Sequence, residues 1–495
     1  MPAFDSLSRV LGALAAIVGT AAAASYWRAG LSLSHYDAKA HLVVARRLLD
    51  SLTPSWEQIG AVWLPLPHVL NALPVQIDWM YQTGASAIAI SIASFALATA
   101  CLAAVVMRIS GSQAGAILAA LLFASNPNVL YLQSTPMTEP LLFGLTALVV
   151  LHLTEWARSE TVQPRAAAGW TIVAACLTRY EAWPITGAGI VLAAFVKWRR
   201  GASAHNVIRA ATRLTVYAVG TAVFFMGMSF ATTGQWFVTG GFYVPDPKLQ
   251  GQPLAVIEAI LDGVADLAGE RFVQFWLVSI AMVLMAAVVR RSFALLVMPL
   301  ALAGAAALPF YAYLSGHPFR IRYEIPLVLA GAACCGAAVS LLRKAAPIAA
   351  IPMAAIVMMH APTFDASLAP MVVEAQLDLQ NAVGRRAVTE CLKRQYDGTT
   401  IMASMGSLAH YMQELSLAGF DLDDFLHEGS GPMWLHAYHW EPWLIAGWIL
   451  VEEKAEGGDM LYQRQREWPG FLEHYTRVCE GGNVALYRRM SSISR

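Results

Sequence analysis

The stretch SHYDAKAH, Ser34 to His41, follows an apolar run at 9–27 by only a few residues. Whether that run is a secretory leader or a retained membrane helix decides the fold. As a leader, its Ala-rich end would be cut away, and SHYDAKAH would open a secreted domain. As a retained span, it sets two histidines, an aspartate and a lysine at a membrane interface, where ionisable groups need a reason. The apolar segments that follow continue the alternation of a multi-pass chain, so 9–27 reads as the first span.

The whole composition agrees. The 495 residues are 57% hydrophobic and 13% charged, against about 25% charged in soluble domains. Mean hydropathy is +0.52, and this is the composition of an integral membrane protein. Lys and Arg balance Asp and Glu at 33 each, which leaves no electrostatic basis for a nucleic-acid partner.

Apolar segments of spanning length, or close to it, lie at 9–27, 86–107, 113–131, 139–157, 166–178, 182–198, 213–232, 272–289, 292–314, 324–342 and 345–361. This predicts an α-helical polytopic protein with about eleven transmembrane helices. Arg9, Arg108, Arg158, Arg165, the KWRR at 197–200, Arg209, Arg213, Arg290, Arg291, Arg343 and Lys344 then share one side. That side is the cytoplasm, because basic residues concentrate there. The N-terminus is expected inside and the C-terminus outside. The expected domains are a transmembrane part over 1–361, with an outer loop at 28–85, and an extracytoplasmic α/β domain over 362–495. A second outer segment, 233–271, carries the Gly/Pro-rich GGFYVPDPKLQGQP at 240–253. In the last domain TTIMAS and ILVEEK predict strands and 371–396 a helix.

Four clusters carry candidate chemistry. Ser34 and Asp37 have the spacing of a capping box and predict a helix from Ser34 to about Asp50. On it Asp37 and His41 share a face. Asp37 as cap, with Lys39, Arg46 and Arg47 among headgroups, and Asp37 as a reacting carboxylate both fit. TRYEAW, 178–183, puts Arg179, Tyr180 and Glu181 between two short apolar segments, either as an interfacial ion pair or facing a cavity. GHPFRIRYEIP, 316–326, puts His317, Arg320, Arg322, Tyr323 and Glu324 at the mouth of a span. These arginines could snorkel, or they could hold a phosphate bidentately. Glu139 opens a span after the Pro-rich turn of STPMTEP, where the helix dipole alone would favour it. In IGAVWLPLPHVL, Pro65 and Pro67 interrupt a regular helix, Trp63 suits an interface, and His68 reads as structural. HEGSGPMWLHAYHWEPW, 427–443, could position an acceptor or dock on the interface.

In their order, YDAKAH, WLPLPH, STPMTEP, TRYEAW and RIRYEIP resemble the multi-spanning GT-C glycosyltransferases. In particular they resemble bacterial relatives of the protein O-mannosyltransferases and the aminoarabinose transferases. The resemblance covers roughly residues 1–360. It implies transfer of a sugar, a hexosyl or mannosyl group, from a polyprenyl-phosphate donor to a protein, lipid or glycan acceptor. The site implied is on the outer face of a bacterial inner membrane. It implies Asp37 as the catalytic base, with Glu139 or Glu181 as further acids, since Ala38 stands where the mannosyltransferases carry a second acid. Arg322 matches a carrier-phosphate contact, with Arg320 and Arg179 as second choices. Tyr36, Lys39, His41, Trp63, His68, Tyr180, His317 and Tyr323 complete the substrate-binding candidates. No nucleotide cofactor is expected, because the donor carries its own leaving group, and no metal site is assigned. A disulfide between Cys391 and Cys479 is expected in an oxidising compartment. A secondary transporter and a lipid-linked polysaccharide polymerase or ligase are the alternatives. A transporter would favour charged positions near mid-membrane.

Overall fold

The computed structural model describes residues 4–237, 245–361 and 368–490. The GGFYV of 240–244 and the expected domain boundary at 361/362 fall outside or at the edge of those residues. Among the described residues, seven helices are long and apolar enough to cross a bilayer: Ser6–Arg28, Ala85–Ser110, Glu139–Arg158, Ala204–Thr233, Glu270–Val289, Ser292–Leu314 and Ile321–Ser340. The chain is a multi-pass helical membrane protein with a small C-terminal sheet.

The other expected spans are helical but short. The 113–131 segment breaks into Gln113–Ala124 and Pro127–Leu132, because Asn126 caps a new helix with its side chain on the Asn128 and Val129 amides and Pro127 suits the first helical position. The 166–178 segment yields only Ala166–Cys176, while Ala182–Arg199 and Ala346–His360 form as helices near their expected bounds.

Chain packing gives two compact units: Met1–Ala29 with Ile88–Ala231 and Pro245–Glu374, and Gly30–Ala87 with Thr232–Val244 and Ala375–Arg495. The loop 28–85, expected as part of the transmembrane domain, instead folds with the C-terminal region.

In the first unit, the Ile325–Ser340 helix is buried along its whole length. Its sequence, IPLVLAGAACCGAAVS, is mostly small residues, which let backbones approach closely. At the tightest point a Cβ on Gly336 would lie 2.5 Å from the Gly115 carbonyl oxygen, and one on Gly115 2.4 Å from that of Gly336.

The second unit is built on a five-stranded sheet, β1 (Ile401–Ala403), β2 (Phe425–Leu426), β3 (Trp448–Glu452), β4 (Tyr475–Gly481) and β5 (Val484–Arg489), in the order β2-β1-β3-β5-β4. β1 runs parallel to β2 and β3, while β5 is antiparallel to β3 and β4. The period-2 alternation sends Ile401, Trp448, Leu450 and Leu486 to one face and Met402, Ile449, Val451 and Ala485 to the other. The first face is covered by Leu42, Val43, Val75 and Tyr81 of the first loop. That apolar face is the reason residues 30–87 belong to this unit. The helix expected over 371–396 is interrupted between Pro370–Ala375 and Leu379–Gln395. Cys391 of the latter is disulfide-bonded to Cys479 of β4, with a Cα separation of 6.6 Å.

Candidate functional site

In the second unit SHYDAKAH forms the start of a helix, Tyr36–Arg46. It ends at Arg46 rather than Asp50, where the Leu49 and Asp50 amides turn back onto the Arg46 carbonyl. The cap differs from the sequence expectation. His35, not Ser34, is the N-cap, and its Nδ1 accepts the Asp37 amide at 3.1 Å. Ser34 Oγ donates instead to the Leu31 carbonyl at 2.8 Å. Sequence rules favour Ser, Thr, Asp or Asn as cap, yet a neutral imidazole also offers an in-plane acceptor. The Asp37 carboxylate is therefore not the cap. It is 8% exposed, in the first turn, where the positive end of the helix dipole favours its charge.

Around it the helix is fixed by charge. Lys39 Nζ donates to Glu414 Oε1 at 2.6 Å, and Arg385 donates to both Glu414 oxygens at 2.7 and 3.0 Å. Arg385 also donates to both Asp378 oxygens at 3.0 and 2.6 Å, and His410 lies 3.7 Å from Asp378. The Tyr36 ring stands 6.3 Å from that of His410. Lys39, expected on substrate, thus binds Glu414 of the Met405–Leu415 helix. Burial alone would raise the Glu414 carboxyl. Hydrogen bonds from Arg385 and the Lys39 charge outweigh it and hold the group below its ordinary value. Asp378 is held low in the same way, against its own burial, by Arg385 and His410.

On the same helix His41 meets the WLPLPH segment. Pro65 and Pro67 stand at the start of a short helix, Leu66–Asn71, where a missing amide costs nothing. His68 Nδ1 donates to the Leu64 carbonyl at 3.2 Å, so its Nε2 accepts from His41 Nδ1 at 3.1 Å. Trp63 packs on His41 with ring centres 4.1 Å apart. Burial, with the Arg47 charge adding to it, drives His68 down to about 3, so it stays neutral and structural.

The first unit holds the remaining candidates. Glu139 and Glu181, expected as further acids, both pair with Arg179, whose Nη atoms lie 3.0 Å from Glu139 and 2.8 Å from Glu181. Thr138 Oγ1 accepts from Arg179 at 3.0 Å. The two carboxylates are 0% and 1% exposed. Tyr180 packs edge-on against Trp183 and Phe225. In GHPFRIRYEIP, His317 Nδ1 donates to the Pro318 carbonyl at 2.7 Å, and its Nε2 lies 3.5 Å from the Tyr323 hydroxyl. The Arg322 guanidinium lies 5.8 Å from the Tyr323 ring centre. Burial, aided by the charges of Arg320 and Arg322, holds His317 below its ordinary value. Arg320, Arg322 and Tyr323 are half-buried.

Two glutamates to which the sequence reading gave no role complete both clusters. The buried Glu324 lies 2.8 Å from the Tyr313 hydroxyl, which accepts the Arg320 amide at 3.2 Å. In the second unit Glu428, from the aromatic segment expected to meet an acceptor, caps the Met405–Leu415 helix through the Met405 amide at 2.6 Å. Among the described residues, no three His, Cys, Asp or Glu side chains converge as metal ligands.

Two solved structures of ArnT from Cupriavidus metallidurans are similar over nearly the whole chain. One, bound to undecaprenyl phosphate, superposes with a TM-score of 0.57 at 12% identity, covering 97% of this chain and 98% of that one. The other, in the apo state, gives 0.58 at 10% identity with the same coverage. This chain has the fold of these two structures. No family model and no curated protein matches the sequence. At these identities the likeness carries the fold, and the roles of individual residues rest on the geometry above.

Proposed function

We propose that this protein transfers a sugar from a polyprenyl-phosphate carrier to an acceptor hydroxyl, on the outer side of a bacterial inner membrane. Asp37 acts as the base. The observation that carries this reading is the placement of Asp37, buried at 8% exposure in the first turn of a helix whose N-cap is His35. Support for the donor class comes from the ArnT fold, one example of which is bound to undecaprenyl phosphate.

In the proposed step the acceptor O–H proton passes to the Asp37 carboxylate, and the acceptor oxygen bonds to the anomeric carbon. The bond from that carbon to the carrier's phosphate oxygen breaks, and its electron pair leaves with the phosphate. A hydroxyl attacks poorly until its proton is removed. Arg322, with Arg320 beside it, neutralises the growing phosphate charge. Arg179 is already matched by Glu139 and Glu181, so it positions the loop rather than binding the carrier. The same matching argues against either glutamate as the base. The sugar is proposed to be a hexose such as mannose, on the resemblance to O-mannosyltransferases. No nucleotide or metal is needed, because the phosphate is already a competent leaving group.

The test is mass spectrometry of lipid copurifying with the protein, paired with Asp37→Asn. Recovery of a prenyl phosphate sugar, with transfer lost in Asp37→Asn and donor retained, is expected. Absence of any prenyl carrier even on its addition, or near wild-type turnover in Asp37→Asn, would overturn the reading.

A further inference from the structure

At the end of the Glu139–Arg158 helix far from Glu139, the chain bounds a half-open cavity of about 240 Å³. It is bounded by the C-terminal ends of Glu139–Arg158 and Ala182–Arg199 and the start of Ala204–Thr233. Its wall includes Ser159, Glu160, Lys197, Arg200, Ser203 and Asn206. Lys197 is 5% exposed, yet its ammonium meets only neutral acceptors: the Trp156 carbonyl at 3.0 Å, the Ser159 carbonyl at 2.6 Å and Ser159 Oγ at 3.4 Å. Among the described residues no carboxylate lies within 4.0 Å of Lys197 or Arg200; Glu160, on the same wall, is farther off, though its charge still reaches Lys197. Arg200 reaches only the Arg158 carbonyl, at 3.5 Å.

A lysine ending a helix is ordinary, since it meets the orphan carbonyls of the last turn. One cation suffices for that task. Here a second one lines the same pocket, where two cations face a single carboxylate, Glu160. The outward faces beside it are apolar: Phe195, Trp198 and Ile208 are 39%, 53% and 65% exposed on helices of the bundle. Cationic pockets between membrane helices, rimmed by such surfaces, suit the headgroups of anionic lipids.

We infer that this cavity binds the phosphate of an anionic phospholipid headgroup. Arg200 supplies the hydrogen bonds, Lys197 supplies charge, and the acyl chains run along Phe195, Trp198 and Ile208. A free phosphate would share the first contacts but would gain nothing from the apolar flank.

The experiment titrates the full-length protein, in a neutral detergent, separately with phosphatidylglycerol, phosphatidylcholine and inorganic phosphate. Retention is read by native mass spectrometry and melting temperature. Phosphatidylglycerol should be retained in preference to phosphatidylcholine. Arg200→Glu should weaken it ~25-fold, about fivefold for each unit of charge changed near the surface. Arg200→Lys should restore most of the binding. Arg200 is exposed, so the lipid-free melting temperature of these variants should match the wild type. Lys197→Met would lose the helix end as well and is the secondary variant. Equal retention of the two lipids, or phosphatidylglycerol binding unchanged in Arg200→Glu, overturns the inference. Displacement of the lipid by inorganic phosphate at matching concentrations overturns the assignment to lipid and leaves a simple anion site.

Discussion

Replacing Glu414 by Gln should loosen the helix that carries Asp37. Glu414 Oε1 accepts from both Lys39 and Arg385, and Oε2 accepts from Arg385 again. An amide must turn its NH₂ toward one of these donors, so at least one charged hydrogen bond becomes a donor–donor contact. The local charge also shifts. Lys39 and Arg385 are balanced by Glu414 and Asp378, and Gln leaves one buried positive charge in excess. Removing one partner from a fully buried pair costs about 3–5 kcal/mol. Side-chain exposures of 10% and 18% for Lys39 and Glu414 place this case at the lower end, at about 3 kcal/mol. The assay is the melting temperature of the purified protein together with turnover of a lipid-linked sugar. Both should fall, since a shift of about 1 Å in a reacting group can cost 100-fold in rate. Lys39→Met combined with Glu414→Met removes both charges of one pair and leaves Arg385 with Asp378. It should be less damaging than Glu414→Gln, with a coupling of about 1–3 kcal/mol in the cycle. Wild-type melting and turnover in Glu414→Gln would refute the reasoning.

Arg322→Ala should weaken binding of a prenyl-phosphate donor by about 10- to 100-fold, the worth of one charged hydrogen bond, with melting unchanged; unaltered donor affinity in a direct binding assay removes Arg322 from the phosphate. The second unit should lose stability in mild acid. Burial first, and the charges of Arg47 or Arg385 next, push His68 and His427 to about 3 and His410 to about 4. Their unfolded values lie near 6.5, so the unfolded state binds more protons as pH falls. Stability is then full above about pH 6.5 and declines toward the folded values, by up to about 1.4 kcal/mol per pH unit for each histidine. Melting temperatures from pH 7.5 to 5 should show this, and His410→Gln should flatten the slope. Breaking the Cys391–Cys479 link, which closes a separation of 88 residues, should cost about 4–5 kcal/mol in the chain-entropy view. A Cys391→Ala, Cys479→Ala protein that melts like the wild type would count against it.

The apolar runs made the spans legible, because hydropathy acts locally and a bilayer demands a fixed length. Ser6–Arg28 and Glu139–Arg158 lie close to their sequence readings for that reason. RIRYEIP likewise displayed its cations at the head of a span. The surroundings of Asp37 were not legible. His35 as cap breaks the usual residue preference, and nothing near Lys39 hints at Glu414. Glu139 and Glu181 read as separate acids, because a bridging arginine reveals itself only when two turns of chain come together. The loop at 28–85 looked like part of the membrane domain by position alone. Its true partner is the face of a sheet whose strands begin after residue 400.

That partnership sets a timetable for making the protein. Lys39 and Glu414 are 375 residues apart in sequence. A ribosome adding roughly 5–20 residues per second needs about 20–75 s between delivering the first and the second. Throughout that interval the segment bearing Asp37 is outside the ribosome, without the surface that shapes it. Only a chain read past Glu414 can assemble the charge network around that helix. A prematurely terminated product would insert its membrane helices yet hold no ordered Asp37, so truncation silences the proposed chemistry before any quality-control protease acts.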